Sequence, residues 1–443
     1  MNIQLSDHFT YPRLIRFVLP SIAMMIFTSI YCVVDGLFVS NFVGKIPFAA
    51  INLMMPFLMI MASIGFMLGT GGSALVAKTI GEGDRERANR YFSLIIYTAI
   101  LSGLVLTVFG ELFLDQIVVL LGAEGVMFEN CMIYGRIMLI GNVAYMLQTM
   151  FQSFLITAEK PGMGLAVTIL AGVTNMVLDA FFIAGLQWGI AGAAVATTFS
   201  QFVGALIPLF YFFRKNTSLL RLTGTSFMGN VLVKTCSNGI SELLSNISMS
   251  LVSVLYNFQL IRIVGDDGVA AYGVIMYVQF IFVAIFIGYA IGVAPIIGFN
   301  YGAQNHNELK NMFKKSNIII WLTGAVLMLT AFGISGPFSE IFVGYDRELL
   351  LLTERGFKFL SVSFLFCGFN IFGSSFFTAL NNGIVSAVIS FTRTIIFQVS
   401  AVLILPMIWG IDGIWISVPV AEVASVVLTL FFMMKLRGKY HYV

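Results

Sequence analysis

The sequence predicts an all-α integral membrane protein with twelve transmembrane helices in two six-helix lobes. Three observations carry that prediction: charge is scarce, it is missing from long stretches, and one half of the chain repeats the other. Of the 443 residues, 59% are hydrophobic and only 10% are charged, whereas a soluble domain carries about 25% charged residues. Mean hydropathy is +0.95. Each helix needs about 20 predominantly apolar residues to cross a hydrocarbon core about 30 Å thick, so a chain of this length with short loops holds about a dozen.

No Asp, Glu, Lys or Arg occurs from Ile46 to Ala77, Tyr91 to Gly110, Ala180 to Phe213, Gly268 to Asn307 or Phe359 to Thr392. These runs read as helices or helix pairs. A membrane barrel would instead show alternation over segments of about ten residues, and none is present. Turn and charge signals place spans at 14–38, 48–77, 91–111, 132–157, 162–184, 188–213, 235–259, 270–298, 316–336, 356–380, 384–407 and 413–434. Lys and Arg collect in alternate loops, among them Arg13, Arg16, Lys78, Arg85, Arg87, Lys160, Arg214, Lys310, Lys314, Lys435 and Arg437. The other loops hold few cations and several acids, including Asp115, Glu124 and Asp346. The positive-inside rule then puts both termini in the cytoplasm. Met1 to Thr10 lacks the basic-then-apolar pattern of a cleaved signal, so the first span is expected to direct insertion.

The repeat fixes the topology. Trp188-Gly189-Ile190-Ala191-Gly192 returns as Trp409-Gly410-Ile411-Asp412-Gly413, an offset of about 221 residues that also relates Thr157-Ala158 to Thr378-Ala379, Gly81 to Gly302 and Gly44 to Gly265. Six spans per copy is an even number, so the copies run parallel and share a pseudo-twofold axis along the membrane normal. The expected division is an amino-terminal lobe at 1–213, a cytoplasmic linker at 214–234 and a carboxyl-terminal lobe at 235–443. Two such lobes suit a transporter whose central cleft opens alternately to each side as the lobes rock.

Other classes are disfavoured. A net charge of +3 spread over loops is no nucleic-acid footprint. The four cysteines, Cys32, Cys131, Cys236 and Cys367, lie far apart without metal-ligand or redox spacing. His8, His306 and His441 fall in tails or loops, and no clustered histidines or Ser/His/Asp set marks an enzyme.

Placing an ionisable group at mid-membrane costs roughly 2.5–3.5 kcal/mol on insertion scales, so those that remain point to function. Asp35 lies in the outer part of span one, in Tyr31-Cys32-Val33-Val34-Asp35-Gly36, and Asp179 in the outer half of span five. Asn175 precedes Asp179 by one helical turn, so amide and carboxylate share a face. Both spans run outward, and about 17–20 residues at 1.5 Å each carry the two carboxylates to similar depth. Thr197 and Thr198 of span six are expected to add hydroxyl oxygens. Two neighbouring carboxylates in a weakly polar site bind a proton or a hard cation through oxygen. At the 221 offset Asp35 becomes Tyr256, Asn175 becomes Ile396 and Asp179 becomes Ser400. Ion coupling thus belongs to the first lobe.

Glu242 in span seven is read as facing the cleft, and Arg393 in span eleven as an ion-pair partner of Glu422 in span twelve, where Glu422 corresponds to Gln201. Tyr31 and Gln201 join these three as candidates for the cleft or its polar lining. Pro20 removes a helix hydrogen bond in span one and is a candidate hinge. Phe and Met, 43 and 23 in number, suit flat lipophilic cations wherever they line the cleft.

These features together resemble the multidrug and toxic compound extrusion (MATE) family across essentially the whole chain. They are the paired six-helix halves, Pro20 followed by Asp35-Gly36, and the Gly-rich end of span two from Gly69 to Gly81 with its weaker copy from Gly292 to Gly302. The resemblance implies a V-shaped antiporter that expels organic cations against inward Na⁺ or H⁺. Asp35, Asn175, Asp179 and Thr197 resemble the amino-terminal-lobe cation site of the DinF-like and related prokaryotic branches, and the span-one bend carries over to Pro20. Glu242 resembles the span-seven glutamate of the NorM-like branch, whose span-ten aspartate has no counterpart here.

The resulting expectation is a monomeric, cation-coupled exporter of cationic or lipophilic drugs in a prokaryotic cytoplasmic membrane, working by rocker-switch alternating access. It needs no cofactor and no metal beyond Na⁺ at Asp35, Asn175, Asp179 and Thr197, and its partners are small molecules and membrane lipid. The competing expectation is a lipid-linked oligosaccharide flippase of the same broad superfamily. That activity calls for several deep cations to hold a pyrophosphate, where this chain keeps mostly acids.

Overall fold

Every charge-free run lies on one helix or on consecutive helices joined by a short turn. The computed structural model describes residues 3–443, apart from the side chains of Leu37 and Asp266. Helices α1 (Tyr11–Phe42), α2 (Lys45–Gly81), α3 (Arg85–Leu120), α4 (Gly125–Thr157), α5 (Pro161–Asp179) and α6 (Gly189–Phe213) form the first half. The second half contains α7 (Gly229–Ile263), α8 (Asp266–Gly302), α9 (His306–Val343), α10 (Arg347–Ser361), α11 (Ser363–Ala379), α12 (Gly383–Phe391), α13 (Val399–Trp409) and α14 (Ile411–Tyr440). Eleven helical segments among the described residues are long and apolar enough to cross a membrane, and the bent pair α10–α11 makes a twelfth.

Helix starts are written in the side chains. Asp84 accepts from Arg87 N at 2.9 Å and Asp346 from Glu348 N at 2.9 Å, each satisfying a backbone donor that the first helical turn leaves free. The turns before α2 and α8 pass through Gly44 and Gly265, with φ of 111° and 82°. This left-handed region favours glycine, which explains why the repeat keeps it at both places.

Two departures from straight α-helix carry no compositional mark. Spans five and eleven each contain a wide π turn, at Ala180–Gly185 after α5 and at Thr392–Gln398 between α12 and α13. Span ten, expected as one helix over 356–380, is instead broken by 44° between Ser361 and Ser363. No proline lies there. Ser361 and Ser363 turn their hydroxyls back onto the carbonyls of Lys358 and Leu360, both at 2.7 Å, a habit that bends helices.

Contacts within α1–α6 and within α7–α14 build two lobes, which meet along α1 against α8 and α2 against α7. The first lobe packs around Phe92, Phe154 and Phe212, with ring centroids 4.9 Å apart for both Phe92 pairs. A core around Tyr256, Tyr272 and Trp415 fills the second. On the side bearing the termini, called here the basic side, the lobes touch backbone to backbone: a Cβ on Gly71 would collide with the Thr235 carbonyl oxygen, and one on Gly288 with Ile22 of α1. Asn238 of α7 adds bonds to Gly71 O at 3.4 Å and Thr378 O at 2.9 Å.

The segment between the halves is irregular from Arg214 to Met228, and α7 starts at Gly229, ahead of its apolar stretch. It lies against α3, with Arg221 N donating to Asn89 Oδ1 at 2.9 Å and Thr223 N to Ser93 Oγ at 2.8 Å. The amino-terminal segment ahead of α1 is likewise tied down. Leu5 N donates to Glu159 Oε1 at 2.6 Å in the first lobe, while Phe9 N and His8 Nδ1 reach the Glu308 carboxylate in the second at 2.9 and 2.6 Å. Leu5 and Phe9 are fully buried, and each such burial contributes about 2 kcal/mol. The segment is a strap across both lobes.

Candidate functional site

Three helices of the first lobe converge on the residues singled out by charge. On α5, Asn175 and Asp179 project from one face and are 1% and 0% exposed. From α1, the half-buried Asp35 lies near Asp179 and Asn175, close enough for the two carboxylates to interact. From α6, Thr197 Oγ1 accepts from Asn175 Nδ2 at 3.4 Å. All four residues of the expected coupling set are brought together.

Their polar atoms do not balance. Asp35 Oδ1, both oxygens of Asp179 and Asn175 Oδ1 are buried without a donor, and so is Gln201 Oε1 one turn along α6 from Thr197. Two neighbouring carboxylates offer only acceptors to each other. A buried acceptor left unpaired costs about 1–3 kcal/mol, and more when charged. A proton on one carboxylate, or a hard cation ligated by these oxygens, supplies the missing charge.

Thr198 does not join the site. One residue along a helix is a rotation of about 100°, and Thr198 Oγ1 instead donates to Ile137 O of α4 at 3.2 Å. Tyr31 lies one turn below Asp35, half-buried, with its ring 6.2 Å from Phe27. Gln201 is buried against Gly141 of α4. Pro20 is half-buried within an unbroken α1, beside Ser21 and Ile22 where they meet Gly288. Tyr134 of α4, uncharged and so unmarked by the scarcity of charge, is 2% exposed and lies near both Asp35 and Asp179. Its only signal was a phenol in an apolar span, which packing alone also explains.

In the second lobe Arg393 and Glu422 form the expected ion pair. Arg393, on the π turn, donates to Glu422 Oε1 from Nη2 at 2.6 Å and from Nε at 2.9 Å. Asn370 Nδ2 donates to Glu422 Oε2 at 2.7 Å, and Thr429 Oγ1 to Asn370 Oδ1 at 3.1 Å. Tyr256, at the offset position of Asp35, is hydrogen-bonded to Ser417. Glu242 lies apart on α7, half-buried, with its main-chain oxygen accepting from Asn246. The lobes share a fold and differ in chemistry.

The decisive comparison is with whole families. Residues 20–181 and 243–403 both match the MatE family. The chain belongs to the MatE family. This MatE chain is 24% identical over 434 residues to the multidrug export protein MepA of Staphylococcus haemolyticus (strain JCSC1435), covering 97% of this chain and 94% of that one. MepA of Staphylococcus aureus (strain MRSA252) is 22% identical over 431 residues, with the same coverage. Among solved structures, a MATE crystallised in complex with MaL6 superposes with a TM-score of 0.91 at 23% identity, covering 96% of each chain. An outward-facing multidrug resistance MATE transporter of the MOP superfamily gives 0.91 at 23% identity, covering 96% of this chain and 95% of that chain. A MOP superfamily transporter from Pyrococcus furiosus, described as having a binding pocket of reverse polarity, gives 0.89 at 23% identity, covering 96% and 95%. The fold shared with these neighbours is twelve helices in two lobes. Membership places the chain among multi-span membrane transporters and not among enzymes.

Proposed function

We propose that this MatE-family chain exports cationic or lipophilic small molecules from a bacterial cell in exchange for H⁺ or Na⁺ taken up at Asp35 and Asp179. One observation carries the reading: the buried oxygens of Asp35, Asp179 and Asn175 converge without donors. Loading the site satisfies them and draws α1 toward α5 and α6. Unloading leaves repulsion that favours a different seat for α1. Drug and ion compete because both act on the position of one helix.

Pro20 sits where such motion is useful. Its missing N–H frees the carbonyl four residues before it, and the adjacent residues Ser21 and Ile22 touch α8 at Gly288. A hinge at Pro20 thus couples the seat of Asp35 to the lobe boundary. The Lys and Arg bias supports cytoplasmic termini in the inner membrane, and the presence of both lobes in one chain supports a working monomer. Entry of one unit charge down 100 mV supplies about 2.3 kcal/mol, roughly fiftyfold of accumulation.

The flippase alternative is weakened by Arg393, the deep cation on which a pyrophosphate would depend, because two of its guanidinium nitrogens are held by Glu422. The test is ethidium efflux from proteoliposomes under imposed Na⁺ or pH gradients. Asp35→Asn and Asp179→Asn should each abolish gradient-driven efflux while leaving dye binding intact. Unchanged efflux in both variants would overturn the proposal, and binding of an anionic lipid-linked sugar without dye transport would favour the flippase.

A further inference from the structure

On the outer flank of the second lobe, α9 and α14 both pack against α11, and a cavity of about 700 Å³ opens between them. It is lined by Lys310, Lys314 and Trp321 on α9, by Met433 and Arg437 on α14 and by Phe369 of α11, with Tyr442 and Val443 beyond α14 also against it. The arrangement is graded along the helix axes. Toward mid-membrane the lining is aromatic and thioether, and at the basic side it ends in three cations.

Those cations differ from their neighbours. Lys315 donates to Phe9 O at 2.5 Å and sits 5.3 Å from the Tyr11 ring centroid. Lys435 and Lys439 lie over Phe431 and Tyr440. Lys310, Lys314 and Arg437 are exposed, and among the described residues none of them pairs with a carboxylate. The basic side thus commits several cations to protein partners and leaves three converging over an apolar groove.

We propose that this groove is a binding site for an anionic phospholipid, with the headgroup phosphate at Lys310, Lys314 and Arg437 and an acyl chain against Trp321, Phe369 and Met433. The chemistry is complementary at both ends. Clustered Lys and Arg at a membrane surface attract anionic headgroups, and acyl methylenes gain by burial against the groove floor. A cationic drug would be repelled by the rim, and a zwitterionic lipid would gain only the apolar part. The site is separate from the carboxylate cluster of the first lobe and does not depend on which ion is coupled.

The full-length protein, purified in detergent, can be offered phosphatidylglycerol or phosphatidylcholine and the retained lipid counted by native mass spectrometry. Phosphatidylglycerol should be retained in preference, with affinity falling roughly fivefold for each groove cation removed. Lys310→Gln/Lys314→Gln/Arg437→Gln should erase the preference, while Lys435→Gln/Lys439→Gln should keep it. Brominated phosphatidylglycerol should quench the wild-type tryptophan emission more than that of Trp321→Phe, a readout that requires no change of charge. Equal retention of the two lipids, equal loss in the Lys435/Lys439 control, or quenching indifferent to Trp321 would each overturn the proposal. Displacement of phosphatidylglycerol by excess inorganic phosphate would also overturn it, by showing a free-anion site.

Discussion

Gly81 at the end of α2 and Gly302 at the end of α8 meet across the lobe boundary in a reciprocal contact. A Cβ on Gly81 would strike the Phe299 carbonyl oxygen, and one on Gly302 would strike that of Lys78. Since Lys78 and Phe299 are also one repeat apart, the contact obeys the pseudo-twofold symmetry of the whole molecule. Closure of the basic side therefore rests on main-chain atoms, which cannot move aside as a side chain would.

A bulky residue here should force the lobes apart. Gly81→Val and Gly302→Val are expected to open the basic side, and Cys236 of α7 reports it, being half-buried against the first-lobe core. In a Cys32→Ser background, maleimide labelling of Cys236 should rise severalfold, while the buried Cys131 and Cys367 stay unreactive. Unchanged labelling would mean that the helices absorb the clash locally.

The Arg393–Glu422 pair predicts a non-additive pattern. Glu422→Ala leaves a half-buried guanidinium uncompensated and should cost about 3 kcal/mol, the lower end for a buried pair, whereas Arg393→Met/Glu422→Leu, which removes both charges at similar volume, should be close to neutral. Thermal unfolding of the three proteins in one detergent measures it. A double variant as unstable as the single one would show that the Asn370 and Thr429 bonds, rather than charge balance, hold these helices.

The strap predicts a pH dependence. Burial pushes the Glu159 carboxyl above the ordinary carboxylate range, although it accepts a hydrogen bond from Leu5 N. A folded-state value raised in this way contributes stability at pH below the unfolded value, and that contribution is lost as pH rises through the raised one. Glu159→Gln keeps an acceptor and loses the charge, so its stability relative to wild type should increase as pH climbs from the acid range toward neutrality. Protease protection of the strap at a series of pH values checks the sign, and a constant difference across the series would contradict it.

Much of the site was legible because membrane burial makes charge conspicuous. Asp35, Asn175, Asp179 and Thr197 could be placed together from span direction and helical rise alone, and Arg393 with Glu422 as the one deep pair of opposite charges. Thr198 was misassigned because neighbouring positions on a helix face different ways, and two adjacent threonines give no phase. The strap leaves little signal in the sequence, since Ile3, Leu5 and Phe9 are the only apolar residues among the eight from Ile3 to Thr10 and the burial of Leu5 and Phe9 depends on partners 154 and 299 residues away. The break at Ser361 and both π turns leave no trace in hydropathy, because they arise from which carbonyl each N–H selects.

Those π turns alter what counts as a counterpart between the halves. Each accommodates one residue beyond α-helical pitch, but the second lobe takes up its extra residue at Thr392–Gln398 and the first lobe only after Asp179. Between these points the copies run one residue out of phase, and they fall back into step at Trp188-Gly189 and Trp409-Gly410. Exposure agrees: Ser400, which the numerical offset assigns to Asp179, faces outward, while Ala401 is buried as Asp179 is. A scan meant to install a second ion site in the carboxyl-terminal lobe should therefore place its carboxylate at Ala401, since at Ser400 the same group would be presented to lipid.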